Sequence, residues 1–222
     1  MRIFKTGQAA RGVSLAELLV VLGIITVLMA MLLPALARAR DRGNQIACES
    51  NLHQIGVFLL MYANQSRGWL YPVGPDDAKG KPTTLGSTVP RDERWPVYAL
   101  EPRVWNPPIM RCPSDYEPAE EHSYVLNEHL ADHRIKYSDT KLGGLDSTEV
   151  VVMGEKVSDI ADYYMERNEF ARVVEPFRHG LSYGSNYLYL DLHVSTVPPD
   201  AARSGVDPWE PPLPPPDPPS SN

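Results

Sequence analysis

One uncharged run of twenty residues, 18–37, constrains this chain more than any other feature of its sequence. Folded as an α-helix that rises about 1.5 Å per residue, the run would be roughly 30 Å long, which matches the hydrocarbon core of a lipid bilayer. We therefore predict that it spans a membrane. Glu17, which directly precedes it, is the anomaly, because a carboxylate at the head of a span costs on the order of 2.5 kcal/mol or more unless a cation neutralises it.

The charge distribution limits the partners of the chain. The 222 residues carry a formal net charge of −7, and the strongly basic clusters flank the apolar run. They are Arg2, Lys5 and Arg11 before it, and Arg38, Arg40 and Arg42 after it. Because the rest of the chain offers no basic face to phosphates, we do not expect it to bind nucleic acid. The length outside the run is enough for one soluble domain.

Residues 1–12 differ from an ordinary secretory signal. They are short, basic and polar, and the apolar run follows Gly12 instead of preceding an Ala-x-Ala site. By the positive-inside bias, this leader should stay in the cytoplasm while the C-terminal bulk lies outside the membrane. Removing the leader would take the formal net charge from −7 to −10, because it carries three basic residues and no acidic one.

Residues 12–22, Gly-Val-Ser-Leu-Ala-Glu-Leu-Leu-Val-Val-Leu, resemble the cleavage and methylation signal of type IV prepilins and type II secretion pseudopilins. The resemblance implies that a membrane-embedded aspartic peptidase, the prepilin peptidase, cuts after Gly12 and N-methylates Val13. The family usually has phenylalanine at this position, so Val13 departs from its pattern. The alternative interpretation is a plain signal anchor with a stray glutamate.

The same resemblance gives Glu17 and Pro34 roles in assembly. Cleavage would leave a positive amine on Val13, and the family pairs this amine with the glutamate of a neighbouring subunit. In lipid such a pair gains from the low dielectric constant and fixes the axial register between helices. Pro34 would kink or loosen the preceding turn, as in many filament subunits of the family. Equally, it marks the exit from the membrane before Arg38.

We thus expect a structural subunit of a type II secretion pseudopilus or a type IV pilus-like filament, without catalysis and without a cofactor. The resemblance implies as partners further pilin-like subunits, the prepilin peptidase, an inner-membrane assembly platform and the lipid bilayer. It places the chain in the inner membrane as a single-pass protein with a periplasmic or extracellular head. The alternative is a membrane-anchored exported domain that binds a ligand or a metal.

The fold class that this resemblance implies is α+β and pilin-like. A long N-terminal helix would lie in the membrane at 13–37 and continue as an amphipathic helix at 38–66, where apolar residues spaced by three or four form one stripe. The stripe consists of Cys48, Leu52, Ile55, Leu59 and Tyr62. We expect it to pack on the antiparallel sheet of a head formed by residues 67–197. Gly43 and Gly56 are the weak points of the helix.

Within the head, the sequence predicts irregular structure at 69–111 and strands at 149–154 and 187–197. Polar or aromatic residues alternate with aliphatic ones in the last strand, which suggests that one face of it is buried. The final residues, 198–222, include ten prolines. We expect them to form an extended, disordered tail with polyproline character.

Two cysteines, Cys48 and Cys112, lie downstream of the span, where an exported domain meets an oxidising compartment. Cys48 lies on the apolar stripe. Cys112 belongs to the sequence Met-Arg-Cys-Pro-Ser-Asp, which the chain shares with one pseudopilin-like subfamily. A disulfide between them would connect the excursion 69–111 to the helix, and the alternative is two buried free thiols. Two cysteines alone do not make a metal site.

The C-terminal signature of that subfamily is a histidine, a spacer of about nine residues, and Asp-Gly. Residues 178–194 resemble it, with His179 and Asp191 at the matching positions. The spacer here has eleven residues, and Leu192 stands where glycine is usual. Since glycine normally permits a tight turn between two strands, we expect a bulge or a continuous strand instead.

His179, Asp191 and His193 are candidate metal ligands, because imidazole and carboxylate groups suit divalent cations. The favoured interpretation is structural, with Asp191 accepting a hydrogen bond from His179 and locking the hairpin. Some pseudopilin heads bind calcium through a late acidic loop, which by analogy makes Asp191, Asp139 and Asp146 conceivable ligands. No run with calcium-loop spacing is present in the sequence.

Motifs of catalysis are missing from the sequence. It has no nucleophile elbow, phosphate loop, zincin helix or paired catalytic carboxylates. Glu155-Lys156, which follows the first predicted strand, is interpreted as a solvated strand end rather than an acid-base pair. The sequence therefore does not predict an enzyme.

Overall fold

The structure is a computed structural model that describes residues 15–70, 108–131, 135–165, 169–180, 183–197 and 209–212. The chain forms two compact units, Met1–Asp41 and Arg42–Asn222. One helix, α1 at Leu15–Gln65, contributes residues to both. The predicted cleavage site at Gly12 and Val13 lies outside the described residues.

In the first unit, α1 exposes apolar side chains on every side. Each described residue up to Asp41 is exposed, including large aliphatic residues such as Leu18, Leu22 and Leu32. A helix that is apolar all round is suited to a bilayer or to the interior of an assembly. This helix is long and apolar enough to cross a membrane, by length and composition.

Pro34 does not end the helix. Proline lacks a backbone N–H and usually disturbs the turn before it, yet α1 continues past this position to Gln65. The Pro34 carbonyl accepts a hydrogen bond of 3.2 Å from Arg38 Nε, one turn further along. The arginine side chain thus bonds the backbone near the place where the proline weakens it.

In the second unit, α1 buries one stripe. Cys48, Leu52, Ile55 and Leu59 are fully buried, as their spacing predicts, and Tyr62 is partly buried beside them. The helix ends where the N–H of Gly68 donates a 2.7 Å hydrogen bond to the carbonyl of Ala63. The amphipathic half of the helix is therefore part of the core of this unit.

Seven strands and two short helices follow α1 in the described residues. The strands are β1 (Tyr124–Asn127), β2 (Lys141–Leu142), β3 (Leu145–Asp146), β4 (Val151–Glu155), β5 (Tyr164–Met165), β6 (Ser185–Tyr189) and β7 (Val194–Val197). The helices are α2 (Glu128–Ala131) and α3 (Phe170–Val173), and 3₁₀ turns lie at Pro108–Met110 and Ala119–Glu121. Most of the predicted irregular excursion 69–111 lies outside the described residues.

Five strands form one sheet in the order β5-β1-β4-β6-β7. All neighbours pair antiparallel except β1 and β5, which are parallel. β2 and β3 make a separate antiparallel hairpin. The layout is α+β, as predicted, and the first predicted strand corresponds to β4.

Both faces of the sheet are covered. Tyr124 and Leu126 of β1 face the core that includes the stripe of α1, whereas Val125 between them faces a second core. In β6, Leu188 belongs to the first core and Tyr187 to the second. The prediction of a single buried face for the last strand is therefore wrong, because a second layer covers the other side.

The second layer includes residues that were expected to belong to a disordered tail. Trp209 is only 3% exposed and packs against Phe170 of α3 and Tyr187, with ring centroids 5.8 Å apart in each pair. Its position requires Gly154, since a Cβ atom there would lie 2.8 Å from the indole ring. For residues 209–212 the expectation of disorder is wrong.

The region 187–197 is a hairpin. β6 and β7 pair with Leu188 opposite Val194, and the N–H of Leu192 donates a 2.8 Å hydrogen bond to the carbonyl of Tyr189 in the turn. Leu192 adopts a φ of 70°, the region that glycine favours. The tight turn thus survives the loss of glycine, with Leu192 in the left-handed position that a G1 bulge uses, and a continuous strand is excluded because β6 ends at Tyr189 and β7 begins at Val194.

Candidate functional site

The most concentrated polar chemistry in the described residues lies inside the head, between α1 and the end of β4. His179 Nε2 and Glu155 Oε1 are 2.8 Å apart, and their side chains are 1% and 0% exposed. Glu155 is the last residue of β4, opposite Tyr124 of β1. His179 comes from the loop before β6, so two distant segments meet in one buried pair.

Asn186 holds this pair in place. Its backbone N–H donates a 2.9 Å hydrogen bond to Glu155 Oε2, and its Nδ2 lies 3.0 Å from His179 Nε2. Its Oδ1 accepts from Thr196 Oγ1 at 2.7 Å, and Gln45 Nε2 donates to the same hydroxyl at 3.0 Å. The network therefore connects α1, β4, β6 and β7 through side chains that are buried or half-buried.

The disulfide between Cys48 and Cys112 lies against the pair. Their Cα atoms are 5.0 Å apart, and the bridge closes a sequence separation of 64 residues. The disulfide is thus present, and the alternative of two free thiols is wrong. Each cysteine Sγ lies within 4.8 Å of a ligand atom of Glu155 and of His179. On the far side of the imidazole, Ser114 Oγ is 3.3 Å from Nδ1 of His179.

A second buried cluster adjoins the first. Arg178, next to His179, places Nη1 at 3.3 Å from Asp115 Oδ1 and donates from the same nitrogen to Ser158 Oγ at 2.9 Å. Within the described residues, Asp115 Oδ2 and Arg178 Nε have no hydrogen-bond partner. The ion pair is therefore joined by one oxygen only, unlike a bidentate arginine fork.

Lys156 is fully buried beside this cluster. Its Nζ donates to the carbonyl oxygens of Ile160 and Ala119, and its backbone carbonyl accepts from Arg178 Nη2. Desolvation by burial lowers the pKa of Lys156 to about 8, although the nearby Asp115 carboxylate opposes the shift. Burial and the Glu155 charge likewise raise the pKa of Tyr124 well above its ordinary value.

The interpretation of Glu155-Lys156 as a solvated strand end is thus wrong. Both residues are 0% exposed, and both side chains serve as partners of other segments. The sequence contains one indication, because the two polar residues stand between the uncharged run Val-Val-Met-Gly at 151–154 and Val157. Period-two patterning does not reveal such positions when both faces of a strand are covered.

The three predicted metal ligands fall into two places. His193 Nδ1 lies 2.5 Å from Asp191 Oδ1 at a partly exposed position, and its ring stacks on Tyr189 at 4.4 Å. His179 bonds with Glu155 instead of Asp191. The predicted His179, Asp191 and His193 set does not assemble, and the expected bond from His179 to Asp191 is replaced by the one to Glu155.

The conceivable calcium ligands have other partners. Asp139 Oδ2 accepts a 2.9 Å hydrogen bond from the backbone N–H of Lys136, and Asp146 lies 3.6 Å from Lys141 Nζ. In the part of the chain that the structure describes, the one group of three or more potential metal ligands is Cys48, Cys112, Glu155 and His179. Calcium binding through the late acidic residues stays a prediction by analogy.

Glu17 is the acidic residue in the first turn of α1, and it is exposed. The described residues begin at Leu15, two positions after the predicted N-terminal amine of Val13. Comparison with known protein families, with curated proteins and with solved structures finds no match for the chain.

Proposed function

We propose that this chain is a pilin-like structural subunit, processed after Gly12 and assembled into a pseudopilus or pilus-like filament through the first part of α1. The observation that carries the proposal is the contrast within that one helix. Up to Asp41 it exposes apolar side chains all round, and beyond Arg42 it buries only a stripe in the head. This division suits a subunit whose helices pack side by side in lipid or in a filament.

Glu17 supports the same proposal through its position. A carboxylate one turn into an apolar helix is costly in lipid. The amine that cleavage leaves on Val13 would be the compensating cation, supplied by a neighbouring subunit. Pairing the two in a low-dielectric environment sets the register between helices more than it adds stability.

The head fits the proposed topology. A disulfide that joins α1 to the Cys112 segment is typical of proteins folded outside the cytoplasm. With the basic leader held inside by the positive-inside bias, the head would lie on the periplasmic or extracellular side of the inner membrane. The partners of this role are other pilin-like subunits, the prepilin peptidase and an inner-membrane assembly platform.

The proposal is tested by mass spectrometry of the mature N-terminus in a host that expresses a prepilin peptidase. We expect a chain that has lost residues 1–12 and begins with N-methylated Val13. Replacing Gly12 by valine should leave the full-length chain uncut. A wild-type chain that keeps Met1, or begins at any residue other than Val13, would refute the proposal.

A second experiment isolates Glu17. The Glu17→Ala variant should be processed normally and yet fail to co-purify with sheared filaments. Glu49→Ala, which removes an acidic residue of the same helix outside the apolar run, is the matched control and should assemble like the wild type. Normal incorporation of Glu17→Ala would contradict the proposed pairing with the Val13 amine.

A further inference from the structure

Four buried side chains from four segments bring potential metal ligands together beside the sheet. They are Cys48 of α1, Cys112 of the following segment, Glu155 of β4 and His179 of the loop before β6. One ligand atom from each lies within 4.8 Å of the others. We propose that, once the disulfide is reduced, these residues bind one divalent cation of the zinc type. This inference goes beyond the filament role and does not depend on it.

The donor set matches the chemistry of zinc. Two thiolates, one imidazole and one carboxylate give four ligands of the kinds that structural zinc sites use. Zinc–ligand distances of about 2.0–2.3 Å in a tetrahedron place the ligand atoms roughly 3.3–3.8 Å apart. Since the four atoms already lie within 4.8 Å of one another, small side-chain rotations after cleavage of the S–S bond bring them to this spacing.

The surrounding hydrogen bonds orient the two non-sulfur ligands. Ser114 Oγ lies 3.3 Å from Nδ1 of His179, so the nitrogen left for a cation is Nε2, which lies 2.8 Å from Glu155 Oε1 and 3.0 Å from Asn186 Nδ2. The backbone N–H of Asn186 holds Oε2 of Glu155 at 2.9 Å, which leaves Oε1 directed at Nε2. A metal-ligating histidine normally has its other nitrogen bonded in this way, and ligating carboxylates are likewise held by a second partner. The two non-sulfur ligands are thus held in place before the cation enters.

The redox step is balanced by a dithiol reductant. The dithiol gives two electrons and two protons to the Cys48–Cys112 disulfide, becomes a disulfide itself, and leaves two thiols on the protein. Binding of the cation then displaces the two thiol protons, because thiolates are the ligands. While the disulfide is intact, its sulfurs have no thiolate charge and the site is closed to zinc.

The test uses the full-length chain in detergent micelles. The protein is unfolded so that the buried bridge is accessible and is reduced with a phosphine under nitrogen. It is then refolded and freed of reductant by gel filtration. Titration with Co²⁺ as the probe should give one cobalt per chain, with the visible bands of a tetrahedral centre and a thiolate-to-cobalt charge-transfer band. Stoichiometric Zn²⁺ should bleach both. The oxidised protein should show neither.

Variants assign the ligands. His179→Ala and Glu155→Gln should each weaken Co²⁺ binding by at least about tenfold, and Cys48→Ser/Cys112→Ser should abolish the charge-transfer band. The double variant Asp191→Asn/His193→Ala, which alters the partly exposed pair, is the matched control and should bind as the wild type does. Loss of binding in this control, with retention in His179→Ala, would overturn the assignment.

A measurement on the wild-type protein tests the proposal without depending on whether the variants fold. X-ray absorption of the zinc-loaded reduced chain should give two sulfur and two nitrogen or oxygen neighbours. Zinc should also protect both cysteines from alkylation. Absence of stoichiometric binding by the reduced wild type, or a coordination shell of oxygen and nitrogen alone, would refute the proposal.

Discussion

The two stretches of α1 share one continuous helical backbone but differ in where their apolar side chains lie. In the first unit the helix exposes its apolar residues on all sides, and in the second unit it buries Cys48, Leu52, Ile55 and Leu59 while its other faces meet water. The first stretch has its apolar surface available for lipid or for other helices, whereas the second has its partners within the chain. Substitutions in the second stretch should therefore change the stability of the head, whereas substitutions in the first stretch should not.

The two units also differ in where they place charged residues. The apolar run of the first contains no charge between residues 18 and 37. The head, by contrast, buries Glu155, Lys156 and His179 around a disulfide. Buried charged groups tolerate the loss of a partner badly, so the head should be sensitive to changes that an apolar helix would accept.

The largest expected effect comes from removing the bridge that ties the second stretch of α1 to the Cys112 segment. For a closed loop of 64 residues, the chain-entropy relation gives a loss of about 4 kcal/mol for Cys48→Ala/Cys112→Ala. Guanidinium chloride unfolding in the presence of a chelator, followed by tryptophan fluorescence, measures it. A loss below about 1 kcal/mol would mean that the bridge does not constrain the unfolded head.

A leucine-to-alanine pair tests the comparison directly. Leu52→Ala opens a cavity in the core and should destabilise the head by about 3 kcal/mol. Leu22→Ala, at an exposed position of the first stretch, should change head stability by less than about 0.5 kcal/mol. Equal losses in the same denaturation assay would show that the two stretches do not differ in the proposed way.

The third expected effect concerns the buried ammonium group. The pKa of Lys156 is about 8 in the folded head, against 10.5 for an unperturbed lysine side chain, so the folded state disfavours the proton. The resulting penalty is complete below about pH 8 and fades as the pH rises towards 10.5. Between about pH 7 and pH 9.5, the wild type should gain about 2 kcal/mol relative to Lys156→Met.

Lys141→Met is the control for that experiment, because Lys141 is exposed. The change with pH in Lys156→Met is measured relative to the change in this variant. The raised pKa of Tyr124 leaves the stability of the head unchanged well below pH 10.0 and lowers it progressively above that value, in the wild type and in the variants alike, so its effect cancels. A Lys156→Met difference that changes with pH no more than the Lys141→Met difference would disprove the buried ammonium penalty.

Two glycines of α1 give the smallest effect. A Cβ atom at Gly43 would meet nothing within 4 Å, so Gly43→Ala should stabilise the helix by about 1 kcal/mol. At Gly56 a Cβ atom would lie 3.0 Å from Leu188 Cδ1. Gly56→Ala should therefore gain less than Gly43→Ala or lose stability, and thermal unfolding of the two variants side by side decides it. A larger gain at Gly56 would contradict the close approach of helix and sheet.

The predictions that the structure confirms come from local sequence patterns. The stripe from Cys48 to Leu59 follows the helical repeat, and a repeat of three and four residues determines which face of a helix meets the core. Cys48 lies on that face, which made a bridge to Cys112 one of two interpretations. β4 was found because it is a short apolar run of β-branched residues.

Contacts between distant segments are what the sequence does not encode locally. Nothing in residues 150–157 indicates that Glu155 meets His179, because that pairing depends on the register of β4 against β6. The subfamily resemblance made Asp191 the expected partner of His179. The eleven-residue spacer, which departs from the subfamily pattern of about nine, was evidence against that pairing. The exposed turn places Asp191 with His193 instead.

Leu192 shows tertiary structure overriding a local preference. A leucine at a positive φ costs on the order of 1–3 kcal/mol, and it persists only when its surroundings fix the turn. The hydrogen bonds of the β6-β7 turn and the position of its Cβ beside Gly56 provide those surroundings. Sequence patterns report the preference of a residue and not the neighbours that overrule it.

The contacts of residues 209–212 determine when the second core of the head can form. Asn127 Nδ2 donates to the Trp209 carbonyl at 2.7 Å, and His129 Nε2 lies 3.0 Å from the Pro211 carbonyl, so a late segment completes the surroundings of β1 and α2. A chain that emerges from its N-terminus first cannot close the second core until residue 209 has appeared. Completion of the second core is therefore a late step of folding that depends on residues 209–212.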